Sequence, residues 1–220
     1  DLPMIESFLP IITLTLSVSG TALLIASIIG FPLGAWLALA HVPGKRLIEA
    51  LIYTGMAFPP VVVGLAVYML LSRSGPLGWL GWLFTPSAMI TAQVVIALPM
   101  VAGLTQGAIE ALDPALRLQL RALGASPAQT MWTLLAEARA GVIAALIAAF
   151  GSIISEVGAV MLVGGNIAGS TRVMTTAIVL ETRQGEFELA LALGAVLLSL
   201  TFVINFAIMR LGQRREVTPR

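Results

Sequence analysis

The feature that most limits how this chain can fold is a series of long stretches without a charged residue. They comprise residues 7–40, 50–72, 74–109 and 189–209, together with 140–171, in which Glu156 is the single charge. A helix needs about 20 predominantly apolar residues to cross the hydrocarbon core of a bilayer. Soluble domains carry about 25% charged residues, whereas this 220-residue chain has 10% charged and 58% hydrophobic residues. The sequence therefore predicts an all-α integral membrane protein.

These stretches predict a single transmembrane domain, residues 1–220, built as a bundle of about five helices. The predicted spans are 11–40, 51–72, 86–108, 141–165 and 187–209. The first span is longer than one crossing requires, so it is either tilted or extends past the membrane. Pro59, Pro60 and Pro99 lie inside spans, where proline kinks or breaks a helix. The sequence leaves open whether these kinks serve ordinary packing or gating.

Pairs of small residues recur at a spacing of four, which lets membrane helices approach closely. The pairs are Gly30 and Gly34, Ala144 and Ala148, and Ala190 and Gly194. We expect these residues to lie at helix contacts.

The distribution of basic residues predicts the orientation in the membrane. Five spans place the two termini on opposite sides. One side then holds nine basic residues, namely Lys45, Arg46, Arg117, Arg121, Arg139, Arg210, Arg214, Arg215 and Arg220. The other side holds Arg73, Arg172 and Arg183. Because cytoplasmic loops are enriched in Lys and Arg, we expect a multi-pass protein of a bacterial or archaeal inner membrane with a cytoplasmic C-terminus.

Composition excludes most enzymatic chemistry. There is no cysteine and only one histidine, His41 at a span end, so we expect no catalytic residue and no metal site. An intramembrane protease would need a nucleophile with its base, or a metal set. The net charge of +1 gives no basic patch for nucleic acid. The only lysine, Lys45, lacks the glycines and the Ser or Thr of a P-loop, so we expect no nucleotide site.

The loop 109–140 between the third and fourth spans carries strong local signals. Asp113 followed by Pro114 predicts a capped helix start, and Gly124 predicts a stop. Ser126 and Gln129 form a capping box that begins a second helix, which we expect to run on into the fourth span. Such a hairpin either protrudes and docks in a groove of a partner or lies on the membrane surface with its arginines on headgroups.

Residues 121–127, RALGASP, resemble the glycine-centred core of the cytoplasmic loop of ABC importer permeases. The Glu-Ala-Ala that gives this loop its name is replaced here by residues 118–120, LQL. The resemblance implies a coupling helix that sits in a cleft of an ATPase subunit. The implied coupling residues are Arg117, Leu120, Arg121, Ala122, Leu123, Gly124, Ala125, Ser126 and Pro127.

Residues 155–182, 58–78 and 133–141 resemble tungstate permeases closely and molybdate permeases more distantly. The resemblance implies the MetI-like fold of type I ABC importers. It implies a homodimer with two ATPase subunits, which bind ATP and Mg²⁺, while this chain binds no cofactor. It also implies a periplasmic or lipid-anchored oxyanion-binding protein. The expected cargo is tungstate, with molybdate or sulfate as alternatives of the same class; an ATP-independent channel-like bundle is a further alternative.

A tetrahedral dianion would meet no Lys or Arg inside the predicted spans. We therefore expect weak binding by hydroxyls, amides and backbone N–H groups at helix starts. Candidates for the path or its gate are Glu156, Asn166, Ser170, Thr171, Arg172, Thr175 and Thr176. Within the periplasmic segment 166–186, residues 170–181 predict a short helix capped by Ser170 or Thr171. That helix serves either as an outer gate or as a contact for the binding protein.

Two charged candidates have alternative roles. Glu156 is an intramembrane carboxylate, which is by default a functional candidate. Because it would repel an anion, it is expected to cap a backbone break or to pair with Arg172 or Arg183. Arg172 either attracts the anion or pairs with Glu181 or Glu186.

Overall fold

A computed structural model describes residues 2–40 and 42–213, with the side chains of 8–40 and 42–210. His41, Arg214, Arg215 and Arg220 lie outside the described residues. The described part contains α-helices and no strand. The helices are α1 Leu2–Leu39, α2 Lys45–Met56, α3 Pro60–Leu71, α4 Pro86–Glu110, α5 Pro114–Ala122, α6 Pro127–Glu137, α7 Arg139–Ile154, α8 Gly158–Gly164, α9 Met174–Gln184 and α10 Phe187–Gln213. A short 3₁₀ turn, Gly78–Leu80, precedes α4.

Three helices, α1, α4 and α10, are long and apolar enough to cross a membrane, and up to five spans result if each bent pair counts as one. The 38 residues of α1 extend about 57 Å. Even a tilt of about 40°, the upper end of the usual range, leaves about 44 Å along the membrane normal, against a hydrocarbon core of about 30 Å. Helix α1 therefore extends past the hydrocarbon.

The predicted span 51–72 is not one straight helix, because α2 and α3 meet at an angle of 104°. Pro59 and Pro60 explain the break. Pro60 has no N–H to donate to the carbonyl of Met56, and it occupies the first turn of α3, where no such donor is needed. Pro99, in contrast, lies inside α4 without ending it.

The expected continuous helix from the hairpin into the fourth span is also wrong. It divides at Ala138 into α6 and α7, with an angle of 74° between them. The predicted span 141–165 then divides a second time, because α7 ends at Ile154 and α8 begins at Gly158. No proline accompanies either break. Nothing in the sequence signals the first break, whereas Glu156, which was expected to cap a backbone break, lies at the second.

Helix α4 occupies the centre of the bundle and contacts α1, α2, α3, α7 and α8. Gly30 and Gly34 allow its close contact with α1. A Cβ at Gly30 would lie 2.8 Å from Val101, and a Cβ at Gly34 would overlap the backbone carbonyl of Ala102. This pair is therefore confirmed as a site of close helix packing.

The pair on α7 was predicted wrongly, whereas the pair on α10 is confirmed only at Ala190, which is buried. On α7 the buried alanines are Ala145 and Ala149, one position beyond the predicted pair, and Ala144 is exposed. A Cβ at Gly194 in α10 would meet no atom within 4 Å. Helix α10 lies at the periphery and exposes large apolar side chains such as Leu191, which is 74% exposed. Such a surface suits lipid or another apolar helix.

Candidate functional site

The α5–α6 hairpin forms as its sequence signals predict. The carboxylate of Asp113 accepts a hydrogen bond of 2.8 Å from the N–H of Ala115 and so caps α5. Gly124 has a φ of 79°, the left-handed conformation that ends a helix at little cost to glycine. Ser126 and Gln129 form both bonds of the capping box, 2.8 and 3.3 Å long. The hairpin is therefore defined by local hydrogen bonds at both helix starts.

The hairpin has one face on the bundle and one face in the open. Leu120 packs with Leu134 and Leu135 at the hairpin end of the core. Leu123, in contrast, is 84% exposed and Leu118 is 65% exposed. The predicted coupling residues Arg121, Ala122, Gly124, Ser126 and Pro127 are also exposed, whereas Arg117, Leu120 and Ala125 are half-buried.

The sequence analysis missed Leu118 as part of this exposed face. The signal was present in the sequence. Leu118 stands between two polar residues and lies on the side of the helix opposite Leu116 and Leu120, so it cannot join their core. Leu118 and Leu123 together give the hairpin an apolar surface that nothing in the described chain covers. Such a surface is typical of a docking site for another protein.

Arg117 turns away from this surface and towards α1. Its Nη2 donates a hydrogen bond of 2.6 Å to the carbonyl oxygen of Leu39, the last residue of α1. A cation is favourable there because the C-terminal carbonyls of a helix carry partial negative charge. Burial, and then the nearby charge of Arg121, lower the pKa of Arg117 below its ordinary value. Arg117 therefore ties the hairpin to α1.

A charged cluster that the sequence analysis did not predict joins α2 to α4 at the same end. Lys45 Nζ lies 3.3 Å from a carboxylate oxygen of Glu49 and 3.5 Å from one of Glu110. Gln106 Nε2 donates to the same two carboxylates, at 2.6 and 3.0 Å. The Oε1 of Gln106 is buried without a partner among the described residues. The contacts between Lys45 and Glu49 and between Gln106 and Glu110 have a spacing of four within one helix. The contacts that cross from α2 to α4 depend on tertiary packing.

The break between α7 and α8 holds the intramembrane carboxylate. Glu156, 9% exposed, accepts a hydrogen bond of 2.7 Å from the N–H of Ala159 through its Oε1. Its own carbonyl accepts from the hydroxyl of Thr175 at 2.9 Å. Gln93 of α4 donates to the carbonyl of Ile153 at 2.9 Å. The break leaves backbone groups without helical partners, and side chains supply those partners. Gln93 of α4 and Thr175 of α9 each donate to a carbonyl at the break, and Glu156 accepts from an N–H at the start of α8.

The capping role that the sequence offered for Glu156 is therefore confirmed. The alternative of an ion pair is wrong: no such pair joins Glu156 to Arg172 or Arg183, both of which the structure describes. Gln93 was missed, although an amide in an otherwise apolar stretch of α4 is a usable signal, since a buried amide requires a partner.

The segment after α8 brings several predicted path residues together. Asn166 adopts a φ of 51°, and its side-chain oxygen accepts from Arg172 Nε at 3.3 Å. The hydroxyl of Thr171 donates to Gly164 at 2.5 Å and accepts from Ile167 N–H at 3.0 Å. The expected pairing of Arg172 with Glu181 or Glu186, which the structure also describes, is wrong because the turn places Asn166 within closer reach. Ser170 is exposed beside this turn.

The helix predicted to start at Ser170 or Thr171 starts later, at Met174. The hydroxyl of Thr176 accepts a hydrogen bond of 3.1 Å from the N–H of Val173. The N–H of Met174 donates at 2.9 Å to the hydroxyl of Thr15 in α1. Ser170 and Thr171 are thus part of the preceding turn. Because Thr171, Thr175 and Thr176 are buried and hydrogen-bonded within the chain, Asn166, Ser170 and Arg172 are the predicted path residues that retain exposed surface.

Comparison with known proteins matches this architecture to one family. The model of the family described as binding-protein-dependent transport system inner membrane component matches residues 30–217. A probable anion ABC transporter permease protein of Haloferax volcanii is 42% identical over 215 residues, which are 95% of this chain and 91% of that protein. The tungstate uptake system permease protein TupB of Peptoclostridium acidaminophilum is 40% identical over 203 residues, 92% of this chain and 89% of that protein. Among solved structures, an inward-facing MetNI methionine ABC transporter chain superposes with a TM-score of 0.82 at 21% identity and complete coverage of both chains.

Proposed function

The chain belongs to the family of inner-membrane components of binding-protein-dependent transport systems, and from this premise we propose that it is the permease subunit of an ABC importer for tungstate. The substrate is proposed from the two relatives whose names specify an anion and tungstate, at 42% and 40% identity over nearly the whole chain.

We further propose that two copies of the chain assemble with two ATPase subunits and receive the ion from an external binding protein. ATP and Mg²⁺ would bind to the ATPase, because this chain has no P-loop sequence. The hairpin and the C-terminus would face the cytoplasm, as the distribution of Lys and Arg indicates.

The observation that carries the proposal is the exposed apolar surface of the α5–α6 hairpin. Leu123 and Leu118 project from a segment whose helix starts are capped and whose turn is set by Gly124. A separate ATPase with an apolar cleft explains these exposed leucines.

The contacts also provide a physical connection from this surface to the middle of the bundle. Arg117 links the hairpin to the end of α1, and α1 packs along α4 through Gly30 and Gly34. Helix α4 in turn contacts the break beside Glu156 through Gln93. A rigid-body shift of the hairpin would therefore move α1 and α4. Through them it would reach the break between α7 and α8, which contains the predicted path residue Glu156. Asn166, Ser170 and Arg172 remain the proposed ion contacts on the far side.

The proposal is tested by uptake of radiolabelled tungstate into proteoliposomes that contain the permease, its ATPase and its binding protein. Leu123→Asp places a charge on the docking surface without burying it in the fold, since Leu123 is 84% exposed. We expect uptake to fall by at least about tenfold, the size of effect typical of a central interface residue. Leu123→Met keeps the apolar surface and should transport normally. Uptake that needs no ATP, or that Leu123→Asp leaves intact, would contradict the proposal.

Competition experiments identify the cargo. If the chain belongs to a tungstate importer, unlabelled tungstate should inhibit uptake of labelled tungstate at lower concentrations than molybdate or sulfate does. Equal competition by molybdate would assign the chain to the broader oxyanion class instead.

A further inference from the structure

A cavity of about 390 Å³ lies between the end of α1 and the α5–α6 hairpin. It is lined by Trp36, Leu39, Ala40, Arg117, Arg121, Ala125, Pro127, Ala128, Thr130 and Met131. Its volume is within the range of small-ligand sites, about 300–1,000 Å³. The exposed leucines of the docking surface, Leu118 and Leu123, do not line it. The cavity thus shares Arg117, Arg121, Ala125 and Pro127 with the predicted coupling segment but lies beside its exposed leucines and not among them.

The charge in this cavity has one sign. Arg117 and Arg121 both line it, and no carboxylate does so among the described residues. Both arginines also line a neighbouring cavity that includes Glu110 and Asp113. These two acids are already engaged, since Glu110 contacts Lys45 and Gln106 and Asp113 caps α5. The charge of Arg121 contributes to lowering the pKa of Arg117, so the two cations repel each other. An anion between them would relieve that repulsion.

The position of the cavity along α1 indicates what kind of anion fits. Ala40 is the last residue of the charge-free stretch 7–40, whose helical length of about 51 Å exceeds the hydrocarbon core and is comparable with the roughly 40–45 Å of a bilayer that includes its headgroups. Trp36, 43% exposed, lies one turn before Ala40, and tryptophan is enriched at the interfaces of membrane proteins. The wall formed by Trp36, Pro127 and Met131 is apolar. The cavity therefore presents two cations beside an apolar surface at the depth of lipid headgroups.

We propose that this cavity binds the phosphate of an anionic phospholipid, with Arg121 as the main contact, Arg117 as the second and the acyl chains beside Trp36. Basic pockets between membrane helices are suited to such headgroups. A bound lipid would fill the space between α1 and the hairpin and hold their spacing. The proposal depends on the membrane placement of α1 and on neither the cargo nor its transport, so its failure leaves the proposed function standing.

The test is native mass spectrometry of the complete transporter, permease with ATPase, after exchange into detergent with defined lipids. Phosphatidylglycerol should remain bound in preference to phosphatidylcholine, whose phosphate is neutralised within its own headgroup. Arg121→Gln should reduce retained phosphatidylglycerol by about fivefold, since one basic contact with an anionic lipid contributes about 1 kcal/mol. Arg121→Lys should retain most of it. Arg73→Gln, which removes an arginine from the loop before α4, is the matched control and should change nothing.

A second measurement locates the lipid. In a variant with Trp79, Trp82 and Trp132 replaced by phenylalanine, brominated phosphatidylglycerol should quench the fluorescence of Trp36, and Arg121→Gln should weaken the quenching. Equal retention of both lipids, or an equal effect of Arg73→Gln, would overturn the proposal, because binding would then be unspecific. Displacement of the lipid by millimolar inorganic phosphate would also overturn it, since the site would then accept a free anion.

Discussion

Replacement of Gly34 by alanine tests the close packing of α1 against α4. A Cβ at this position would overlap the carbonyl oxygen of Ala102 and lie 3.0 Å from the Cβ of Thr105, which is fully buried. The overlapped atom belongs to the backbone of a helix, so it cannot rotate away as a side chain would. The two helices must therefore separate along a contact that also includes Gly30.

The magnitude follows from two opposing effects. Overpacking a well-packed contact costs about 1–3 kcal/mol, and the upper part of that range applies because backbone is displaced. Alanine in place of glycine in a helix recovers up to about 1 kcal/mol. We expect Gly34→Ala to lower the free energy of unfolding by about 2 kcal/mol, measured by reversible SDS titration of the purified permease in mixed micelles.

Gly20→Ala provides the control within the same helix. A Cβ at Gly20 would meet no atom within 4 Å, so only the helix-propensity gain applies and stability should stay equal or rise by up to about 1 kcal/mol. If both substitutions shift the unfolding midpoint alike, the difference in packing between the two glycines has no energetic consequence and the reasoning is refuted.

Three further predictions concern polar contacts. Glu156→Gln keeps an oxygen that can cap α8 and should preserve stability and uptake. Glu156→Ala should lower the free energy of unfolding by about 1 kcal/mol or more. If both variants lose uptake equally, the charge of Glu156 has a role beyond capping. Arg117→Leu removes the hydrogen bond to Leu39 and should lower the amount of tungstate imported per ATP hydrolysed while ATPase activity persists. Arg117→Lys should retain part of this coupling. If the amount imported per ATP is unchanged in Arg117→Leu, the bond does not transmit the motion of the hairpin. Gln106→Leu leaves two carboxylates with Lys45 alone and should lower the apparent Tm of the purified permease; an unchanged Tm would show that the amide does not stabilise the cluster.

The sequence predicted those parts of the structure that short-range chemistry determines. The caps at Asp113 and Ser126, the stop at Gly124 and the break before Pro60 each depend on a group within four residues, and each is observed. The close contact at Gly34 was also predicted, because small residues in an apolar helix have few other uses.

The remaining features depend on partners far along the chain. The start of α9 at Met174 uses Thr15, and the break after Ile154 uses Gln93. Hydrophobic periodicity cannot locate such ends, because both sides of a break in a membrane protein are equally apolar. The register error on α7, where Ala145 and Ala149 are buried in place of their neighbours, has the same origin. The ion contacts and the coupling role stay predictions.

The bond between Met174 and Thr15 has a consequence for the order in which the protein is made. The two residues are separated by 159 positions, so the first helix leaves the ribosome long before the segment it will complete exists. Until then, the hydroxyl of Thr15 is held by its own helix, since it also donates to the carbonyl of Ile11 at 2.7 Å, whereas the start of α9 lacks its acceptor. The contact can close only after the chain has been synthesised as far as Met174, so the backbone group left waiting in the nascent protein belongs to α9 and not to α1.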